Sequence, residues 1–220
     1  MLTPLKDCLK DLLTTACCPC CKREIERCPR QGPFCRACWQ HFALPARGLH
    51  GIHPYRWTAA GWYDGELRQL ILQLRRHPDT RLLCALTEGL GATLPNDAVL
   101  VPIPGWKTES RSNPLPLMIC RSLQRSTRSL LKRSRPTVGQ HHLNRQQRMA
   151  NQRGSFAVEP GVPVPRSVRN PEGEPLELWL VDDILTSGAT AQAAMDALND
   201  QGVKVSGVIC LGRTPLGRTR

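Results

Sequence analysis

The chain has 220 residues, 40% of them hydrophobic but only 5% aromatic, and carries a net charge of +12 with a pI near 9.6. This length allows one sizeable α/β domain with an aliphatic core, plus a small module. The absence of any run of 18 apolar residues argues against a membrane-spanning helix, and the excess of base favours polyanionic ligands such as nucleic acid, nucleotides or sugar phosphates.

Residues 3–15 read as a short amphipathic helix, with Leu5, Leu9, Leu12 and Leu13 on one side. Lys6, Asp7, Lys10 and Asp11 interrupt any apolar leader, so no signal peptide and a cytoplasmic location are expected. Eight of the 11 cysteines follow within the first 38 residues: Cys8, Cys17, Cys18, Cys20, Cys21, Cys28, Cys35 and Cys38. A reduced compartment makes such a cluster a metal site rather than a disulfide framework. Cys18-x-x-Cys21 and Cys35-x-x-Cys38 are two knuckles separated by residues 22–34. Together they supply four soft ligands for a closed, structural Zn²⁺ site. Lys22, Arg23 and Arg36 offset the thiolate charge. Cys17 and Cys20 make an alternative C-x-x-C, so the register stays open. Cys84, Cys120 and Cys210 sit singly in apolar patterns and read as core thiols.

The helix and zinc module end near residue 42, and residues 43–56, rich in Pro, Gly and His, read as a linker. Residues 57–220 form the main domain. Gly61–Gly65 turns into a helix marked by Leu67, Leu70, Ile71 and Leu74, and a second helix carries Leu82, Leu83, Leu86 and Leu90. Residues 98–103 predict a buried strand and 115–126 a helix. A basic segment with a short helix fills 130–151, and 157–175 reads as a surface excursion. Residues 176–181 are an apolar strand that ends in Asp182 and Asp183. A loop of Thr186, Ser187, Gly188, Ala189 and Thr190 then opens a helix bearing Ala191, Ala194, Met195 and Leu198. Val203–Leu211 completes a β-α-β unit. Alternating helices and apolar strands predict a parallel sheet with helices on both faces. Ligands of such sheets bind beyond the carboxyl ends of the strands.

The loop after Asp182-Asp183 places backbone N–H groups at a helix N-terminus, suited to a phosphate, while the acids suit ribose hydroxyls or a Mg²⁺ held partly by phosphates. Residues Leu178 to Thr190 resemble the phosphoribosyl-pyrophosphate (PRPP) motif of type I phosphoribosyltransferases. Trp179 stands where a smaller aliphatic residue is usual.

With the cysteine module in front, most of the chain resembles the ComF family, whose members support uptake of transforming DNA. Cys18, Cys21, Cys35 and Cys38 match its zinc finger. Ala60–Gly65 with Leu67, Arg68, Leu70 and Ile71 matches its tyrosine-glycine stretch. Val101–Pro104 matches the strand before the pyrophosphate loop, and Leu131–Arg133, Gln140, Leu143, Arg148, Asn151 and Phe156 its basic segment. Gly212-Arg213-Thr214 echoes its last strand end. The chain departs from the family at Arg111–Leu115, where an Arg-Gly-Phe-Asn-Gln segment is usual, and at Arg75-Arg76, where a basic-aromatic pair is usual.

The resemblance implies a type I phosphoribosyltransferase-like fold. Asp182 and Asp183 would hold the ribose, residues 186–190 the 5′-phosphate, and Lys107 or Arg111, with Mg²⁺, the pyrophosphate. It also implies a role in handling single-stranded DNA, beside a helicase or recombination loader, with Arg128, Lys132, Arg133, Arg135 and Arg148 as candidate backbone contacts. The competing reading is an active phosphoribosyltransferase acting on a nitrogen acceptor. Neither departure favours turnover, and no nucleobase-recognition signature stands out.

Overall fold

The computed structural model describes residues 16–25, 34–105, 113–134, 147, 152–161 and 176–215. It is a mixed α/β structure with a mostly parallel central sheet and an N-terminal cysteine cluster. In chain order the elements are α1 (Arg36–His41), β1 (Leu49–Gly51), β2 (Trp57–Trp62), α2 (Gly65–Arg76), α3 (Thr80–Gly91), β3 (Val99–Pro102), α4 (Leu115–Ser122), β4 (Ser126–Thr127), β5 (Leu131–Arg133), β6 (Phe156–Val158), β7 (Leu178–Val181), β8 (Ile184–Leu185), α5 (Ala189–Asn199) and β9 (Gly207–Arg213). The expected helix over 3–15 lies outside the described residues.

The sheet runs β1-β2-β9-β7-β3-β4, with β8 also beside β9. Every pairing is parallel except β1 with β2. Short apolar runs build the centre: β7 (Leu-Trp-Leu-Val) and β9 are buried at every residue, as a strand covered on both faces requires. Alternation sorts their side chains into two cores. Trp179, Val181, Ile209 and Leu211 face α2, α3 and α4, whereas Leu178, Leu180, Val208 and Cys210 face α5. The heptad-like spacing of Leu67, Leu70, Ile71 and Leu74 supplies the buried stripe of α2, and Asp79 caps α3 by accepting from Leu82 N–H at 3.0 Å. Trp179 fits because Gly207 stands directly across from it in the register and leaves room for the ring.

Several boundaries differ from the sequence reading. Residues 43–56 are not merely a connection, since they contribute edge strand β1 and place Tyr55 against the loop before α5. The helix expected over 115–126 stops at Ser122, because Gln124 turns left-handed (φ 52°) and the chain re-enters the sheet as β4. β9 starts later than Val203 and runs on to Arg213. In the basic segment, β5 pairs antiparallel with β6. Cys120 and Cys210 are buried, but Cys84 lies on the exposed side of α3 and is not a core thiol. No helix among the described residues is long and apolar enough to cross a membrane.

Candidate functional site

Asp182 and Asp183 emerge at the carboxyl end of β7, between β9 and β3. They have different surroundings. Asp183 is buried, at 2% exposure, and is clamped by Arg75: Nε donates to Oδ2, and Nη2 donates to Oδ1 at 2.8 Å. Asn113 Nδ2 adds a bond to Oδ2 at 2.8 Å. Burial alone would lower the Arg75 pKa, but the Asp183 carboxylate outweighs it and raises it. Asp182 is half-buried, and its Oδ1 accepts from Asp183 N–H at 2.9 Å. Burial, followed by the neighbouring Asp183 charge, pushes its carboxyl up to about 7. Of the two acids, Asp182 is therefore the one open to a ligand, and it changes charge near neutrality.

The loop that follows ends in Gly188, the N-cap of α5, at φ 82° and ψ 0°. This left-handed conformation suits glycine. A second constraint acts at the same atom, because an added Cβ would run into Tyr55 Oη. Tyr55 O–H donates to Gly188 C=O at 3.0 Å. The N-cap makes no side-chain hydrogen bond, so the first turn of α5 keeps N–H groups and positive dipole for an anion. Ala189 N–H approaches Ser187 Oγ at 3.4 Å. From β9, the buried Arg213 supports the loop from behind. Its Nη1 donates to Leu185 C=O at 2.9 Å and also to Thr186 C=O.

Thr186, Ser187 and Thr190 are each half-buried along this loop, while Gly188 and Ala189 are buried. Lys107 and Arg111 lie outside the described residues, as do Arg135 and Arg148. Of the remaining basic candidates, Arg128 is exposed and Lys132 half-buried. Arg133 turns inward: its guanidinium lies 4.2 Å from the Phe156 ring centroid and donates to Pro104 C=O at 3.3 Å and Gln152 Oε1 at 3.1 Å. Burial lowers its pKa, opposed by the charge of Asp182. Arg125 is likewise spent, on the carbonyls of Pro95, Leu123 and Gly91. The basic run is thus not one continuous face.

The four cysteines Cys18, Cys21, Cys35 and Cys38 come together, with their sulfurs within 4.8 Å of one another. Cys21 Sγ and Cys35 Sγ are 3.6 Å apart, close to the sulfur–sulfur edge of about 3.8 Å that follows from tetrahedral Zn–S bonds of about 2.3 Å. The first knuckle closes through Lys22, which takes a left-handed φ of 61° and donates its N–H to Cys18 C=O at 2.9 Å. Burial works against ionisation of Cys18, but donors from Cys35, Cys21 and Cys20 hold it at about 6, while burial raises Cys38. Four soft sulfurs at these distances fit a metal ion. The group is the Cys18–Cys21 register, and Cys17 and Cys20 are not among its four sulfurs. The module is not separate from the main core, since Phe34, Cys38 and Phe42 pack in the same cluster as Leu67 and Leu70.

Sequence reasoning missed Tyr55, Arg75 as the partner of Asp183, and Asn113 in that role. Arg75 and Asn113 had stood out only as departures from a family pattern. A hollow of about 340 Å³ lined by His50, Ile52, Arg56, Trp57, Thr58, Thr93 and Trp179 lies at the opposite, amino-terminal end of the strands, and contains none of the candidate residues. Compared with known proteins, the chain matches no family model and no curated protein.

Proposed function

We propose that this chain is a ComF-like cytoplasmic factor that handles transforming single-stranded DNA, and that the crevice beyond β7 is a PRPP-type pocket for a ribose 5-phosphate. The observation that carries the pocket is Gly188. A left-handed glycine pinned by Tyr55 opens α5 five residues after Asp183, at the carboxyl end of a parallel strand. In this reading the fold is that of a type I phosphoribosyltransferase. The loop 186–190 binds the 5′-phosphate, Asp182 accepts a ribose hydroxyl, and the Arg75–Asp183–Asn113 cluster holds the strand end in place. Structural Zn²⁺ would be held by Cys18, Cys21, Cys35 and Cys38. The DNA role rests on the ComF resemblance and the net charge of +12, with the exposed Arg128 and the half-buried Lys132 as candidate contacts.

One observation favours a second reading, phosphoribosyl transfer. A carboxyl held at about 7 is poised to take up a proton. A nitrogen lone pair would bond the anomeric carbon as the C–O bond breaks with its electrons going to pyrophosphate, and the N–H proton would pass to Asp182. Mg²⁺ arriving with PRPP would neutralise the charge on the departing pyrophosphate.

Calorimetric titration with ribose 5-phosphate, and with PRPP plus Mg²⁺, tests the pocket against a Ser187→Ala/Thr190→Ala variant. Saturable binding by the parent chain that weakens at least tenfold in the variant is the expected result. No binding by the parent removes the proposal. Titration of labelled single-stranded DNA at rising salt tests the DNA role, which requires affinity that falls steeply with ionic strength.

A further inference from the structure

We infer that the hollow at the amino-terminal end of the sheet is a second ligand site, built for a small carboxylate with a flat apolar body, such as an arylacetate. It is separate from the crevice beyond β7 and does not depend on how that crevice is read.

Strand pairing assembles the site. His50 on β1 and Thr58 on β2 are register partners, so their side chains project to the same face of the sheet. Arg56, two residues before Thr58, serves that face as well, and its guanidinium lies 4.7 Å from the Trp179 ring centroid. Trp179 belongs to the core under α2, α3 and α4, and Thr93 joins from just beyond the end of α3. Gly207 makes the meeting of Arg56 and Trp179 possible. A Cβ there would come within 2.5 Å of the Trp179 ring and 2.8 Å of Arg56 C=O. The resulting volume of about 340 Å³ is at the lower end of the range for small-molecule sites, about 300–1,000 Å³.

Thr58 is the unusual member of the lining. It is 2% exposed, and its hydroxyl finds no hydrogen-bond partner among the described residues. Buried polar groups are paired as a rule, and an unpaired one is a cost that a valine of the same shape would avoid. The other hydroxyl in the lining, that of Thr93, already donates to Leu90 C=O at 2.8 Å. Thr58 O–H is the donor left over for whatever fills the hollow.

Charge sets the sign of the ligand. None of the lining residues is acidic, while Arg56 and His50 are basic. Arg56 is loosely engaged, since both of its contacts to Glu177 are 3.4 Å long and the ion pair is exposed. Such pairs contribute little. Glu177 has a shorter bond of its own, from Trp179 Nε1 at 2.9 Å. The guanidinium can therefore exchange Glu177 for a ligand carboxylate, which its planar fork matches. The helix end beside the hollow is the carboxyl end of α3, which does not cradle a phosphate. Ile52 and the indoles of Trp57 and Trp179 supply apolar surface for a flat body.

The test is calorimetric titration of the full chain with indole-3-acetate and with the neutral indole-3-acetamide. The expected result is saturable binding of the acid, with the amide about tenfold weaker or worse, and a similar loss for the acid in Arg56→Gln. Glu177→Gln removes the competing carboxylate and should tighten the acid several-fold. Thr58→Val gives two readings at once. Affinity for the acid should fall, while the Tm of the unliganded chain equals or exceeds that of the parent, because the deleted hydroxyl had no partner. No saturable binding of the acid by the parent, or equal binding of acid and amide, overturns the site. So does acid binding that survives in Arg56→Gln but is lost in Ser187→Ala/Thr190→Ala, which would put the ligand in the other crevice. A Thr58→Val chain that melts below the parent would show the hydroxyl already satisfied and remove it from the site.

Discussion

Replacing Gly188 by alanine perturbs the point where the loop, α5 and the segment before β2 meet. Two costs are separable. An L-residue at φ 82° carries left-handed strain of about 1–2 kcal/mol. The new Cβ also overlaps Tyr55 Oη, so the phenol must move and lose its 3.0 Å bond to Gly188 C=O, a further loss of about 1 kcal/mol. The single variant is expected to lose about 2–3 kcal/mol in urea unfolding, and Tyr55→Phe about 1 kcal/mol. With the hydroxyl removed, the nearest remaining atom to the Cβ is Tyr55 Cζ at 3.2 Å, a contact that small shifts relieve. The double variant should then lose little more than Gly188→Ala alone, so the two changes are sub-additive by about 1 kcal/mol. Strict additivity would show that the Tyr55 hydroxyl does not restrain the loop. A Gly188→Ala chain as stable as the parent would refute the left-handed turn itself.

Three other perturbations probe the remaining chemistry. Arg75→Met leaves Asp183 buried with Asn113 as its one remaining side-chain donor among the described contacts, which should cost about 2–4 kcal/mol in urea unfolding. Adding Asp183→Asn should recover a large part, and the absence of any recovery would contradict a charge-pairing origin. Asp182 holds its proton to about 7 in the folded chain against an ordinary value of 3.8. The folded state then binds more protons than the unfolded state between about pH 4 and 7, so Asp182's contribution lowers stability as pH rises through that window. Urea midpoints at pH 5 and 7.5 should differ less in Asp182→Asn than in the parent, and equal slopes would show that Asp182 ionises normally. Zinc released by a mercurial and read with a chromogenic chelator should reach one equivalent per chain and be abolished by Cys35→Ser. Because Phe34 and Phe42 share a core with α2, stripping the metal should also lower the Tm of the whole chain rather than melt the module alone. A stoichiometry of zero would dismiss the metal site.

What could be read from sequence was what is local in sequence. A strand, two acids, a small-residue loop and an amphipathic helix follow one another within residues 176–199, so their order alone places the acids and the loop at the carboxyl end of β7. The two C-x-x-C knuckles likewise carry their ligand geometry in short turns. The partners that decide how the site works are distant in sequence. Arg75 lies 108 residues from Asp183, Asn113 lies 70 from it, and Tyr55 lies 133 from Gly188. Those meetings follow from the sheet order, which puts β9 and β7 between strands from the first half of the chain. The arginine run is only partly legible for a related reason. Charge density along the chain does not reveal which guanidiniums end against carbonyls, as Arg125 and Arg133 do.

The strand end at Asp182 and Asp183 is a poor solution to folding alone. Two adjacent carboxylates are placed where burial disfavours charge. Among the described residues one is paired with an arginine reaching across from α2, and the other is pushed up to about 7. A pair such as Asn-Leu would avoid both costs. Beside them the chain keeps a left-handed glycine and a buried arginine under a loop. Each opposes stability or regularity, whereas the rest of the sheet follows the alternation of a packed parallel core. Local departures that share one edge of an otherwise consistent fold mark a candidate binding site. In the proposed reading, an anion at α5 and a hydroxyl at Asp182 account for them.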